Sequence, residues 1–160
     1  LHLRSALETI GGWDESFITS QDSDLSMRLL KNGYTLYRTP LITVEMKRRS
    51  SLKSWYLMSH RYGFWRTKVL LKHPSRIVLR EFFPMLGALI TIGLFVMNIQ
   101  WGLLPIVAYA SVLAISGVYA SRKGIQHLLG VPLCLLILHT GFTIGLIDGS
   151  IRKGRAPRDR

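Results

Sequence analysis

Acidic side chains are scarce in this chain. Its 160 residues include nine Asp and Glu against 21 Lys and Arg, a formal charge of +12. Cysteine is rarer still. Cys134 is alone and lies inside an apolar run, which excludes a disulfide framework and a thiolate metal cluster. The five histidines, His2, His60, His73, His127 and His139, offer no pair at zincin or zinc-finger spacing. No helix-turn-helix, zinc-finger or RNA-binding signature accompanies the positive charge, so the expected partner is anionic membrane lipid and not nucleic acid. There is neither an initiator Met nor a signal-peptide pattern, and Leu1 enters in mid-pattern, as expected of a fragment whose front is missing.

Charge is also missing from one long region. Between residues 82 and 147 only Arg122 and Lys123 carry any, whereas the chain before it is polar and strongly basic. That shift marks a domain boundary. Three apolar segments, residues 82–99, 101–120 and 128–147, approach the length of about 20 residues that crosses a bilayer. Asn98-Ile99-Gln100 forms an uncharged connection, and Arg122-Lys123 reads as a cytoplasmic turn by the positive-inside rule. A third span places the tail outside, yet the tail carries Arg152, Lys153, Arg155, Arg158 and Arg160. The conflict disappears if the third segment, with Gly130, Pro132, Gly141, Gly145 and Gly149, is re-entrant or interfacial.

What is present before residue 82 divides in two. Lys47-Arg48-Arg49 opens a basic region in which Leu52, Trp55, Tyr56, Tyr62, Trp65 and Val69 recur at helical steps, with Lys53, His60, Arg61, Lys68 and Lys72 mostly on another face. This predicts an interfacial amphipathic helix, with a helix packed on a soluble domain as the alternative. Gly63 weakens its middle and suggests a bend. Upstream, residues 3–10 read as a short helix stopped by Gly11-Gly12, followed by the loop Trp13-Asp14-Glu15-Ser16-Phe17. Thr19 or Ser20 is a candidate N-cap for a helix carrying Asp22 and Asp24, with Leu25 and Leu29 on one stripe and Asp24 four residues before Arg28. Asn32-Gly33 ends it. Residues 34–39 alternate as a strand does until Pro40, and residues 41–45 suggest a second short strand.

Asp22 and Asp24 are the chemically suggestive pair. Two positions apart on a helix they point about 200° from one another, so they cannot both face one site. Asp24 is the structural candidate through Arg28. Asp22, in the first turn, can project into a cleft and act as a general base. Two solvated acids at a helix start remain the plain alternative. Asp22-Ser23-Asp24 also spells a D-x-D, but a metal-diphosphate pair needs a buried strand before it, and Ile18-Thr19-Ser20 is loop-like. An EF-hand is excluded by Met27 and Gly33 at its sixth and twelfth positions. We assign no metal ligand in this chain. His139 is expected to hydrogen-bond inside a helix bundle, and His60 to lie at a surface.

The order of the motifs is more specific than any one of them. Gly11-Gly12-Trp13-Asp14-Glu15, then Gln21-Asp22-Ser23-Asp24-Leu25-Ser26-Met27-Arg28-Leu29, then Asn32-Gly33-Tyr34, resembles the second half of family 2 glycosyltransferases with the GT-A fold. Arg61-Tyr62-Gly63 and Lys72-His73-Pro74, followed by apolar segments, look like the succinoglycan-type exopolysaccharide branch. The resemblance implies that Asp22 deprotonates the acceptor hydroxyl in an inverting transfer. It implies that Trp13, Asp14 and Glu15 line the acceptor side, and that Arg28, with Gln21 and Asp24, supports the motif helix. Gln21 stands where the family usually carries Glu, and Leu57-Met58 where many members carry Arg-Gln.

The expected fold is therefore an α/β GT-A C-terminal portion of helices and short strands over residues 1–50. An interfacial helix over 51–80, an all-α membrane region of about three segments over 81–149 and a basic tail over 150–160 follow. The expected function is the acceptor-and-base half of a multi-pass glycosyltransferase of the cytoplasmic membrane, its catalytic part cytoplasmic. It would act on a lipid-linked or polysaccharide acceptor. The nucleotide-sugar donor and its Mg²⁺ or Mn²⁺ would be held by a missing N-terminal half, leaving the fragment inactive alone. The rival expectation is a small polytopic membrane protein with a non-catalytic cytosolic binding module.

Overall fold

A computed structural model of the chain describes residues 2–37, 39–41, 43–46 and 50–155. The helices are α1 (Arg4–Thr9), α2 (Gln21–Lys31), α3 (Leu52–Lys72), α4 (Phe83–Met97), α5 (Ile99–Ser121) and α6 (His127–Ile151), with 3-10 turns at Pro74–Arg76 and Leu79–Phe82 before α4. This corrects the expected fold class. There is no strand among the described residues, hence no α/β portion. The segments read as strands are irregular, with Arg38 and Ile42 outside the described residues, as are Lys47, Arg48 and Arg49. A strand is completed by hydrogen bonds to a neighbouring strand, and alternation in the sequence supplies no neighbour. The Tyr34 amide instead donates to the Leu29 carbonyl, closing the end of α2. Tyr37, Leu41, Val44 and Met46 are left exposed.

The small head forms because α1 and α2 each bury one stripe. Ala6 meets Leu25 and Leu29, flanked by Leu7, Ile10 and Tyr34. Gly11 and Gly12 have φ of 76° and 72°, a left-handed turn that glycine adopts without Cβ strain. A second cluster joins the loop to α3: Phe17, 1% exposed, packs with Phe64, Trp65 and Val69.

The seam between α3 and α6 is built from small residues. Ser59, Gly63 and Thr67 recur at four-residue steps on α3, as Gly141, Gly145 and Gly149 do on α6. A Cβ at Gly63 would collide with the Phe142 carbonyl oxygen, and one at Gly145 with the His60 carbonyl oxygen. The two backbones therefore touch, which only small residues permit. Trp55 Nε1 donates to the Cys134 carbonyl at 2.9 Å, and Thr67 Oγ1 to the Leu146 carbonyl at 3.2 Å. Contacts ascend together along both helices, from Ser59 with Gly141 to Lys68 with Gly154, so α3 and α6 run parallel and share one tilt. Gly63 is thus a point of close approach inside an unbroken helix. The glycines of α6 likewise sit in one continuous 25-residue helix.

Helix α5 packs antiparallel on α6. Gly117 faces Leu128 and Pro132, and the Tyr109 hydroxyl lies 2.8 Å from His139 Nδ1, the bundle hydrogen bond expected of that histidine. Three helical stretches, Leu79–Met97, Ile99–Ser121 and His127–Ile151, are long and apolar enough to cross a membrane. The basic tail begins beside the head: Gly154 abuts Lys68, whose ammonium bonds Ser16. Arg122 and Lys123 lie at the opposite end of α6, which at 25 residues is about 37 Å long.

Candidate functional site

The site grows from the junction of three pieces: the loop after α1, the first turns of α2 and the last turn of α3. The loop is held by an Asx-type turn, in which the Ser16 amide donates to Asp14 Oδ1 at 2.8 Å. Asp14 Oδ2 pairs with Lys72 Nζ at 2.7 Å. Lys68 donates to the Ser16 carbonyl and, at 3.0 Å, to its hydroxyl, with its ammonium 4.4 Å over the Phe17 ring. Gln21 Nε2 donates to the Phe17 carbonyl at 2.7 Å, tying the loop to α2. Neither expected N-cap forms as such: Ser20 precedes α2 at φ 67° and its hydroxyl caps nothing.

Asp24 is the hub. It is fully buried, and the side chains of Arg28, Lys72 and His73 converge on it. Arg28 Nε donates to its Oδ2 at 2.8 Å, while Lys72 Nζ and His73 Nε2 reach Oδ1 at 2.7 and 2.8 Å. Arg28 also donates through Nη1 to the Ile10 carbonyl at 2.9 Å, fastening α2 to the end of α1. Burial alone pushes the Asp24 carboxyl up, but the bonds from Lys72, His73 and Arg28 outweigh it and hold the group below its ordinary value. Lys72, bonded also to Ser16-turned Asp14, holds that carboxyl well below the usual carboxylate range. Burial opposes the charge on Lys72, yet its two carboxylate partners raise it above an ordinary lysine.

Burial of Asp24 decides the direction of Asp22. With one acid fixed inward, the other, about 200° around the helix, faces out. Asp22 is exposed and makes no hydrogen bond or ion pair with a described residue. Glu15 is exposed in the neighbouring loop, as is Trp13 at 48%. The structure thus joins Asp14, Asp24 and Arg28 through Lys72, ties Gln21 separately to the Phe17 carbonyl, and leaves Asp22, Trp13 and Glu15 open to solvent beside them. Lys72 and His73 are members that sequence reasoning placed elsewhere, Lys72 on the basic face of an amphipathic helix and His73 among the unpaired histidines, with no role in the site. Their signal was their place at the end of a basic helix in a chain with few acids to satisfy it.

The arrangement does not suit a metal ion. Asp24 is committed to Arg28, Lys72 and His73 and Asp22 faces away from it, so the D-x-D cannot chelate. Among the described residues no three His, Cys, Asp or Glu are grouped to hold a metal.

No protein-family model matches the chain, and no solved structure matches it. Curated relatives do. The chain is 31% identical over 107 residues to succinoglycan biosynthesis protein ExoA of Rhizobium meliloti, covering 66% of this chain and 32% of that protein. It is 31% identical over 72 residues to the pre-mycofactocin glycosyltransferase of Mycobacterium tuberculosis, covering 45% and 15%. A third relative, from Methanococcus voltae, is named dolichyl N-acetyl-alpha-D-glucosaminyl phosphate 3-beta-D-2,3-diacetamido-2,3-dideoxy-beta-D-glucuronosyltransferase. It is 30% identical over 143 residues, covering 86% of this chain and 42% of its own length. The chain therefore spans less than half the length of each of these relatives. They agree with the resemblance carried by the Gly-Gly-Trp-Asp-Glu and Gln-Asp-Ser-Asp-Leu motifs, and the chain is a partial homologue of family 2-like glycosyltransferases, one of these relatives being named for succinoglycan biosynthesis.

Proposed function

We propose that this chain forms the acceptor-and-base part of a membrane-bound, inverting glycosyltransferase. Asp22 takes the proton from an acceptor hydroxyl, the freed oxygen forms its bond to the anomeric carbon of a nucleotide-sugar, and the nucleoside diphosphate leaves from the opposite face. Trp13 supplies an apolar ring for a sugar face, and Glu15 and Asp14 supply acceptors for its hydroxyls. The acceptor is a lipid-linked or polysaccharide chain, in keeping with the names of the relatives. The donor and the Mg²⁺ or Mn²⁺ that the family resemblance implies are held by residues other than those described here. The apolar helices seat the protein in the cytoplasmic membrane, with the head, the end of α3 and the start of the basic tail on the cytoplasmic side, the side of anionic head groups.

The observation that carries this reading is the division of labour within the motif. Asp24 is buried and spent on Arg28, Lys72 and His73, while Asp22 stands exposed in the first turn next to the acceptor loop. The test is sugar transfer by the native gene product in membranes, comparing Asp22→Asn with the parent. Loss of at least about a hundredfold in kcat is expected, in line with general-base contributions. A fully active Asp22→Asn enzyme would refute the base assignment.

A further inference from the structure

The face that α2 presents is set from outside α2. Its first turn lacks a side-chain cap, since the Ser20 hydroxyl caps nothing, and there it is held by the single bond from Gln21 Nε2 to the Phe17 carbonyl. Leu25 and Leu29 bury a stripe against α1, but greasy contacts are non-directional and tolerate rotation. Besides that bond and the one from Arg28 Nη1 to the Ile10 carbonyl, the directional constraints converge on Asp24. Two of its three partners, Lys72 and His73, belong not to the head but to the end of α3. Because an ionised carboxylate only accepts, His73 Nε2 carries the hydrogen in this contact. The imidazole is 10% exposed and sits at the C-cap of α3, where its own amide donates to the Val69 carbonyl at 2.7 Å and Pro74 follows at once. Helix α3 is in turn seated along α6 through backbone contact at Gly63 and Gly145. A rigid path therefore runs from the apolar helices through α3 and His73 to Asp24.

We propose that His73, assisted by Lys72, is a positioning residue of this site: through Asp24 it fixes the rotation of α2 and thereby the outward aim of Asp22. The proposal rests on the reading of Asp22 as the base. If α2 turned by even a fraction of a helical step, Asp22 would change its aim relative to the acceptor loop, because inward Asp24 and outward Asp22 are rigidly coupled by the helix. The pair also makes the site depend on the membrane helices, because α3 transmits their placement.

Two measurements test this. In the 160-residue chain in detergent, amide hydrogen exchange over residues 21–31 is compared for the parent, His73→Leu and His73→Gln, with the α6 peptides as the check on folding. His73→Leu should speed exchange in α2 at least tenfold while α6 is unchanged, and His73→Gln, which retains a side-chain N–H, should restore most of the protection. In the native enzyme, His73→Leu should lower kcat at least tenfold with the KM for the nucleotide-sugar unchanged, and His73→Gln should recover activity to within about threefold. Unchanged α2 exchange in a folded His73→Leu chain overturns the proposal. Parental kcat in His73→Leu overturns it too, and if Asp22→Asn is inactive in the same assay the base assignment survives that failure. An active Asp22→Asn enzyme removes both.

Discussion

At the scale of residues, the contrast between Asp22 and Asp24 is one of solvation. A buried carboxylate is stable only when its charge is matched, and Asp24 is matched by Arg28, Lys72 and His73. This has a consequence for pH. Asp14 and Asp24 both hold folded-state values below the ordinary carboxylate, so the unfolded chain binds protons more readily than the folded one. The stability they contribute is complete above the unfolded value of about 3.9 and is lost as pH falls through the folded values. Melting in detergent should therefore be level from about pH 7 to 5 and decline below about pH 4. Asp24→Asn should melt lower at neutral pH and show a shallower acid decline. An unaltered acid limb in that variant would mean that the hub does not govern acid stability.

At the scale of elements, the α3–α6 seam turns glycine from a helix-weakening residue into a requirement. Gly145→Ala sets a methyl against the His60 carbonyl and should destabilise the chain by about 1–3 kcal/mol. Gly130, on the same helix, has open space at its Cβ position, and Gly130→Ala should be neutral or stabilising by up to about 1 kcal/mol. Thermal unfolding in one detergent reads both. Equal effects would show that helix propensity, and not backbone contact, controls these glycines. The recurrence of small residues was visible in the sequence, but a list of glycines does not say which faces a partner. Gly63 read as a bend for that reason, and residues 34–45 read as strands because alternation reports a half-buried surface and says nothing of a pairing neighbour.

At the scale of the whole molecule, the parallel course of α3 and α6 bears on the tail. The charge pattern alone gave an odd number of apolar segments and a basic tail that disagreed. In the structure Gly154 lies against Lys68, and Lys68 reaches Ser16 in the acceptor loop. The tail therefore starts on the side of the site, and the Arg122-Lys123 turn is at the remote end of α6. With Cys134 replaced by Ser, single cysteines at Glu15 and Lys153 in membrane vesicles should label with an impermeant maleimide from the same side. Labelling from opposite sides would separate the tail from the head and contradict this packing.

Local order in the chain was enough to mark six helical regions, the apolar character of the last three and the acid motif that carries the family resemblance. These depend on periodicity, composition and spacing, which are properties of neighbouring residues. Sequence also separated Asp22 from Asp24, because the pitch of a helix forbids two such positions from facing one site. Which acid is buried, and what neutralises it, was decided by tertiary structure. His73 is 49 residues from Asp24 along the chain, and only the packing of the Phe17 loop against α3 brings the two to 2.8 Å.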